Sequence, residues 1–255
     1  PQGMASVPPY LAFNTAASFA TNTNFLLGDV ELGASYTIID RWNRAGHPGG
    51  LRLVAQALVR LPTGYQPLPN NFVSIPTSDG QSDLQVALVA DVGGGKFGAR
   101  FAGSYNDQLA TTTERRVTLP SQPIPWSNRL ASVTTDPGND LALSALPYFQ
   151  LAPGFAIVGV VRFWSHGTDA VEYASTTDAI PGVSAGDLAT DTQRSATVVG
   201  GGLSYSPTQV GAKVPLDGFW IYEAVVAASG GVMPKAGTIR MGLRWPFRFW
   251  GSASN

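Results

Sequence analysis

Apolar residues return at every second position along most of this chain. In residues 28–39, Val30, Leu32, Ala34, Tyr36 and Ile38 share one face, while Asp29, Glu31, Ser35 and Thr37 share the other. In 51–61, Leu51, Leu53, Ala55, Ala57, Val59 and Leu61 oppose Arg52, Gln56 and Arg60. The same rule sets Leu84, Val86, Leu88, Ala90 and Val92 against Gln85 and Asp91. It sets Phe97, Ala99, Phe101 and Tyr105 against Arg100, Ser104, Asn106 and Gln108. Further on, Phe155, Ile157, Val161 and Phe163 oppose Arg162, and Trp220, Tyr222, Ala224 and Val226 oppose Glu223. A period of two is the signature of a strand with two unlike faces. Segments 141–152 and 192–206 add two more strands, and 7–13 opens the series. The total is about ten strands, with no helix.

The last strand shows the contrast most sharply. Ile239, Met241, Leu243, Trp245, Phe247 and Phe249 alternate with Arg240, Gly242, Arg244, Pro246 and Arg248. One face is wholly apolar and ends in three aromatic rings. The other carries three arginines.

Two connections are short, at 93–96 and 152–154, and one is moderate, at 41–50. Three are long and polar, at 64–82, 109–140 and 166–191. This alternation predicts an antiparallel up-and-down sheet with all its long loops at one edge. The connection at 207–217 is longer than a short-turn edge needs. The uncharged run 141–161 is long enough to suggest a membrane helix. Pro147 and the Pro153-Gly154 pair break it into two strands joined by a tight turn.

Composition narrows the setting. Of 255 residues, 13% are charged, net charge is −1 and mean hydropathy is +0.05. That charged share is about half of the usual ~25%, so part of the surface meets something other than water. Lysine occurs only at 96, 213 and 235. The charge balance speaks against nucleic acid as a partner. The absence of cysteine excludes disulfides and thiolate metal sites. The chain opens on Pro1 with no secretory leader, which predicts a mature or truncated form.

Only helices and closed barrels satisfy their backbone polar groups inside a bilayer. Apolar stripes facing outward, charges on the other face and aromatic rings at the strand ends therefore predict a transmembrane antiparallel up-and-down β-barrel of about 10–12 strands. It would occupy residues 1–255 as one domain in the bacterial outer membrane. Short turns and both termini would be periplasmic. Trp245, Phe247 and Phe249 would belong to the periplasmic aromatic girdle. Arg52, Arg60, Asp91, Arg100, Arg162, Glu223, Arg240, Arg244 and Arg248 would line the lumen, with Asp29 and Glu31. They would act there either as a selectivity lining or as charge pairs that plug a narrow barrel.

Nothing in the sequence assembles catalytic, metal or cofactor chemistry. His47 and His166 lack partners at ligand spacing and read as solvated loop residues. The glycine runs at 93–95 and 200–202 lack the lysine and hydroxyl residues of a phosphate cradle, so they read as turn or bulge glycines. Pro147 and Pro246 inside strands predict bulges or strand ends.

Two resemblances sharpen this picture. Arg240, Gly242, Trp245 and Phe247 resemble the C-terminal assembly signal of bacterial outer-membrane proteins. That implies lipid and lipopolysaccharide as surroundings and the barrel-assembly machinery as a partner. Residues 26–40, 57–64 and 78–91 resemble the MetA-like family of outer-membrane transporters named for phenol degradation. The resemblance rests on Gly28-Asp29 opening a strand, Leu61-Pro62-Thr63-Gly64 closing the next, and the Gly/Asp-rich loop before the third. It implies a passive channel for small hydrophobic solutes and further strands ahead of Gly28-Asp29. A barrel whose long loops bind a surface partner is the alternative.

Overall fold

The computed structural model describes residues 27–42, 49–66, 69, 75–117, 130–206, 216–231 and 235–245. The segment 7–13, His47, Pro246, Phe247, Arg248 and Phe249 lie outside them. Twelve strands are present among the described residues: β1 (Val30–Asp40), β2 (Gly49–Leu61), β3 (Asp83–Gly94), β4 (Phe97–Gln108), β5 (Thr111–Arg116), β6 (Leu130–Asp136), β7 (Asp140–Ala152), β8 (Phe155–His166), β9 (Ala170–Tyr173), β10 (Arg194–Tyr205), β11 (Asp217–Ser229) and β12 (Gly237–Arg244). One 3-10 turn, Ala185–Ala189, accompanies them.

Nine strands form one sheet in the order β1-β2-β3-β4-β7-β8-β10-β11-β12, antiparallel at every pairing. These nine match the nine strands that the alternation predicts within the described residues. Among the described residues the sheet is open, with β1 and β12 as its edges. Because the strands alternate in direction, the first and ninth run the same way. The connections between β1 and β2, β3 and β4, β7 and β8, and β10 and β11 share one edge, where β12 also ends. The long connections share the other.

Those long connections are not wholly irregular. β5, β6 and β9 pair into a separate three-stranded sheet, which corrects the reading of 109–140 and 166–191 as plain loops. Its order, β5-β6-β9, follows that of β4, β7 and β8, each of which lies next to one of them in sequence. β6 alternates cleanly: Ala131, Val133 and Thr135 are buried, while the residues between them are not. With Val117, Val171, Val183 and Ala185 these side chains build a small core, and Tyr173, Ile180 and Leu188 pack against it.

The large sheet is the opposite case. Leu32, Leu88, Ile239, Met241 and Leu243 on its apolar face are all exposed, Leu243 at 82%. Buried residues on this sheet, such as Val160 and Glu223, lie on the polar face. Pro147 sits in mid-strand rather than at an end or bulge. Leu146 and Pro147 simply miss the β8 ladder, and the Pro147 ring lies over Gly159, which has no side chain to obstruct it. The register shift of β7 falls later, between Gln150 and Ala152.

Candidate functional site

The charged residues predicted to share a face do share one, because each sits opposite another in the register. Asp40, Arg52, Asp91 and Arg100 form one row across β1 to β4. Arg52 Nε donates to Asp40 Oδ1 at 3.3 Å, and Arg100 Nε to Asp91 Oδ1 at 2.6 Å. Nearer the long-loop edge, Arg60 lies between Glu31 and Asp83 and bonds both, at 3.0 Å through Nε and 2.9 Å through Nη1. At the far end of the sheet Arg244 Nε donates to Asp217 Oδ2 at 3.1 Å.

The sixth pairing differs. Arg162 on β8 and Arg240 on β12 approach the same atom, Glu223 Oε1, at 3.2 and 3.7 Å. Glu223 is on β11, so Arg162 must reach over β10. Two strand spacings are about 10 Å. The reach is possible because the β10 residue opposite Glu223 is Gly200. A Cβ there would collide with the Tyr222 carbonyl and stand 2.9 Å from Glu223 Cγ. Gly200 is therefore a close-approach glycine, where backbone and side chain of the next strand fill the missing volume. Elsewhere on the same face an aromatic ring covers a glycine directly across the ladder: Tyr148 over Gly98 and Phe219 over Gly242. Such pairs pin register in curved sheets.

Asp29 does not join the charged face. It precedes β1, and its carboxylate accepts a hydrogen bond from Gly64 N at 2.9 Å. Thr63 Oγ1 accepts from Val30 N, also at 2.9 Å, and Thr77 Oγ1 donates to the Leu27 carbonyl at 2.7 Å. Gly28-Asp29, Thr63-Gly64 and Thr77 thus staple the start of β1 to the end of β2. The residues that carry the family resemblance have a structural task here.

His166 also departs from its reading as a solvated loop residue. It ends β8 with a side chain only 10% exposed. Nδ1 lies 2.8 Å from Asp140 Oδ1 and Nε2 lies 2.9 Å from Asp169 Oδ1. Asp169 Oδ1 also accepts from Gly138 N at 2.9 Å, and Gln108 Nε2 donates to Asp140 Oδ2 at 3.1 Å. The imidazole stacks on Trp164, whose ring also carries the Arg194 guanidinium. Sequence reasoning missed this cluster because only the β7–β8 register brings Asp140 opposite His166. Among the described residues no group of histidine and carboxylate side chains is arranged to hold a metal ion.

The fold defines the class: an all-β chain built on an antiparallel up-and-down sheet, with one apolar and one charged face. No family model matches it. A 36-residue stretch, 14% of the chain, is 64% identical to part of a potassium-transporting ATPase potassium-binding subunit from Sorangium cellulosum (strain So ce56). The chain spans only 6% of that relative's length, too little to show a family. Among the described residues no helix is long and apolar enough to cross a membrane, which says nothing of strands.

Proposed function

We propose that this chain is a bacterial outer-membrane β-barrel that acts as a passive channel or transporter for small, largely hydrophobic solutes. One observation carries the reading. On strand after strand the nine-stranded sheet exposes leucines, valines and aromatic rings on one face, and its ion pairs lie on the other. Water is a poor solvent for such a surface and lipid a good one. Strand direction sets what closure would require. β1 and β12 run the same way, so an all-antiparallel barrel takes an odd number of further strands between them. The predicted strand at 7–13 would supply one, and with it the periplasmic N-terminus. The edge where β12 ends would be periplasmic, placing Trp245, Phe247 and Phe249 at the lower girdle, where the assembly machinery would read them. Lipid and lipopolysaccharide would be its surroundings, and no catalytic step or cofactor is invoked.

The ion pairing of six of the seven described arginines on the charged face, with Arg194 lying over Trp164 instead, favours a second reading, a plugged barrel whose long-loop edge, with its small folded sheet, binds a surface partner. Planar-bilayer recording separates the two. The channel reading expects steady conductance and an Arg244→Glu variant whose reversal potential moves toward cations. Absence of conductance in both forms would remove it and leave the structural barrel.

A further inference from the structure

Of the seven described arginines on the charged face, Arg194 lies over the Trp164 ring, and Arg52, Arg60, Arg100 and Arg244 each donate a guanidinium Nε–H to a carboxylate. Arg162 and Arg240 do not. Both approach Glu223 Oε1, yet that atom receives no hydrogen bond of acceptable geometry. Charge rather than a hydrogen bond links the two guanidinium groups to that oxygen. Two positive charges share one negative charge, which leaves one positive charge in excess.

The exposures run the same way. The Glu223 side chain is 8% exposed, while Arg162 and Arg240 are 34% and 44% exposed. The acid is sunk into the sheet and the bases stand up around it. Their surroundings are mixed: Val198 lies opposite Arg162 on one side and Ser144 lies opposite it on the other, Ile221 lies opposite Arg240, Thr238 lies opposite Glu223, and Val160, fully buried, shares the row of Gly200 and Glu223.

From this we infer that Arg162, Glu223 and Arg240 form an anion-binding subsite for an organic carboxylate with a small apolar body. A guanidinium fork matches a carboxylate in charge and in the spacing of its two oxygens. Glu223 holds both forks in place by charge and offsets part of their field, so binding is loose enough for passage. The half-buried Val198 and Ile221 side chains give an aryl or short alkyl group an apolar surface, while a bare inorganic anion gains only the charge. A solute cation would meet the excess positive charge and be repelled. The inference rests on the channel reading for its purpose but not for its existence.

Calorimetric titration of the full chain, refolded in detergent, tests it with sodium benzoate as the probe and benzylammonium chloride as its cationic counterpart. Benzoate should bind saturably and benzylammonium should not, a comparison that needs no variant. Arg162→Gln and Arg240→Gln should each weaken benzoate about tenfold, the scale of losing one charge-assisted fork. Lys96→Gln, in the exposed turn between β3 and β4, should leave it unchanged. No saturable benzoate binding, equal binding of the two probes, or unchanged affinity in both folded arginine variants would overturn the subsite. Conductance is recorded separately on the same preparations. Benzoate binding to a non-conducting protein removes the channel and keeps the site, and a conducting protein that ignores benzoate does the reverse.

Discussion

The two sheets of this molecule use the same alternation to opposite ends. In the small sheet β6 turns Ala131, Val133 and Thr135 inward, and Val133 is fully buried against Val117 and Val171. That is how a water-soluble sheet behaves: the apolar face is covered by its own chain. In the large sheet β3 turns Leu84, Val86 and Leu88 outward, Leu88 to 54% exposure, and the described chain covers none of the three. The small sheet carries its own core, whereas the large sheet needs an apolar solvent to supply one. Within one chain, the hydrophobic pattern alone does not say which face is buried. What lies across from that face decides it.

The largest expected effect breaks the large sheet from outside. Leu88→Arg puts a charge on the apolar face near mid-strand, where it should cost about 2–4 kcal/mol in a bilayer refolding titration. Its neighbour Gln85 is on the charged face, so Gln85→Arg should change stability by less than about 0.5 kcal/mol. Equal tolerance of both changes would show the two faces to be alike.

The matching change in the small sheet is Val133→Ala. Removing two methyl groups from a closed core should cost about 2 kcal/mol, but only locally. Limited proteolysis should cut 167–193 faster, while the heat-modified electrophoretic shift of the large sheet stays as it was. A loss of that shift would mean that the two sheets fold as one unit.

His166→Ala tests the joint between them. Asp140 and Asp169 would lose a shared partner and face each other across the gap, at a cost of about 1–2 kcal/mol. The expected sign is faster proteolysis of the same segment with little change in the large sheet. The smallest effect should come from Arg100→Gln. The Arg100 side chain is well exposed although Asp91 is not, so about 0.5–1 kcal/mol is expected in a denaturant titration.

Much of this was legible in the sequence, for a physical reason. A strand's two faces are read from its own residues, so nine strands and their sidedness need no long-range knowledge. Residues opposite each other in a meander are also near in sequence order, which is why Arg52 with Asp91 and Arg60 with Glu31 fall on one face as expected. The small sheet was hidden because β5, Thr111–Arg116, is polar on both faces and β9 has only four residues. No period stands out from such short stretches. The shared acid of Arg162 and Arg240 was hidden too, since it depends on a bare glycine in the strand between Arg162 and Glu223. The task of Asp29 followed from the start of β1 meeting the end of β2 rather than from alternation.

The claim on which the rest depends is that lipid covers the apolar face. The chain has no cysteine, so single nitroxide labels can be placed without background. Label each position from Leu84 to Asp91 in turn, reconstitute the protein in bilayers, and compare collision rates with oxygen and with a water-soluble nickel chelate. The account predicts that Leu84, Val86, Leu88 and Ala90 favour oxygen and that Gln85, Ala87, Val89 and Asp91 favour nickel, alternating residue by residue. Labels equally open to nickel at both sets of positions would contradict it.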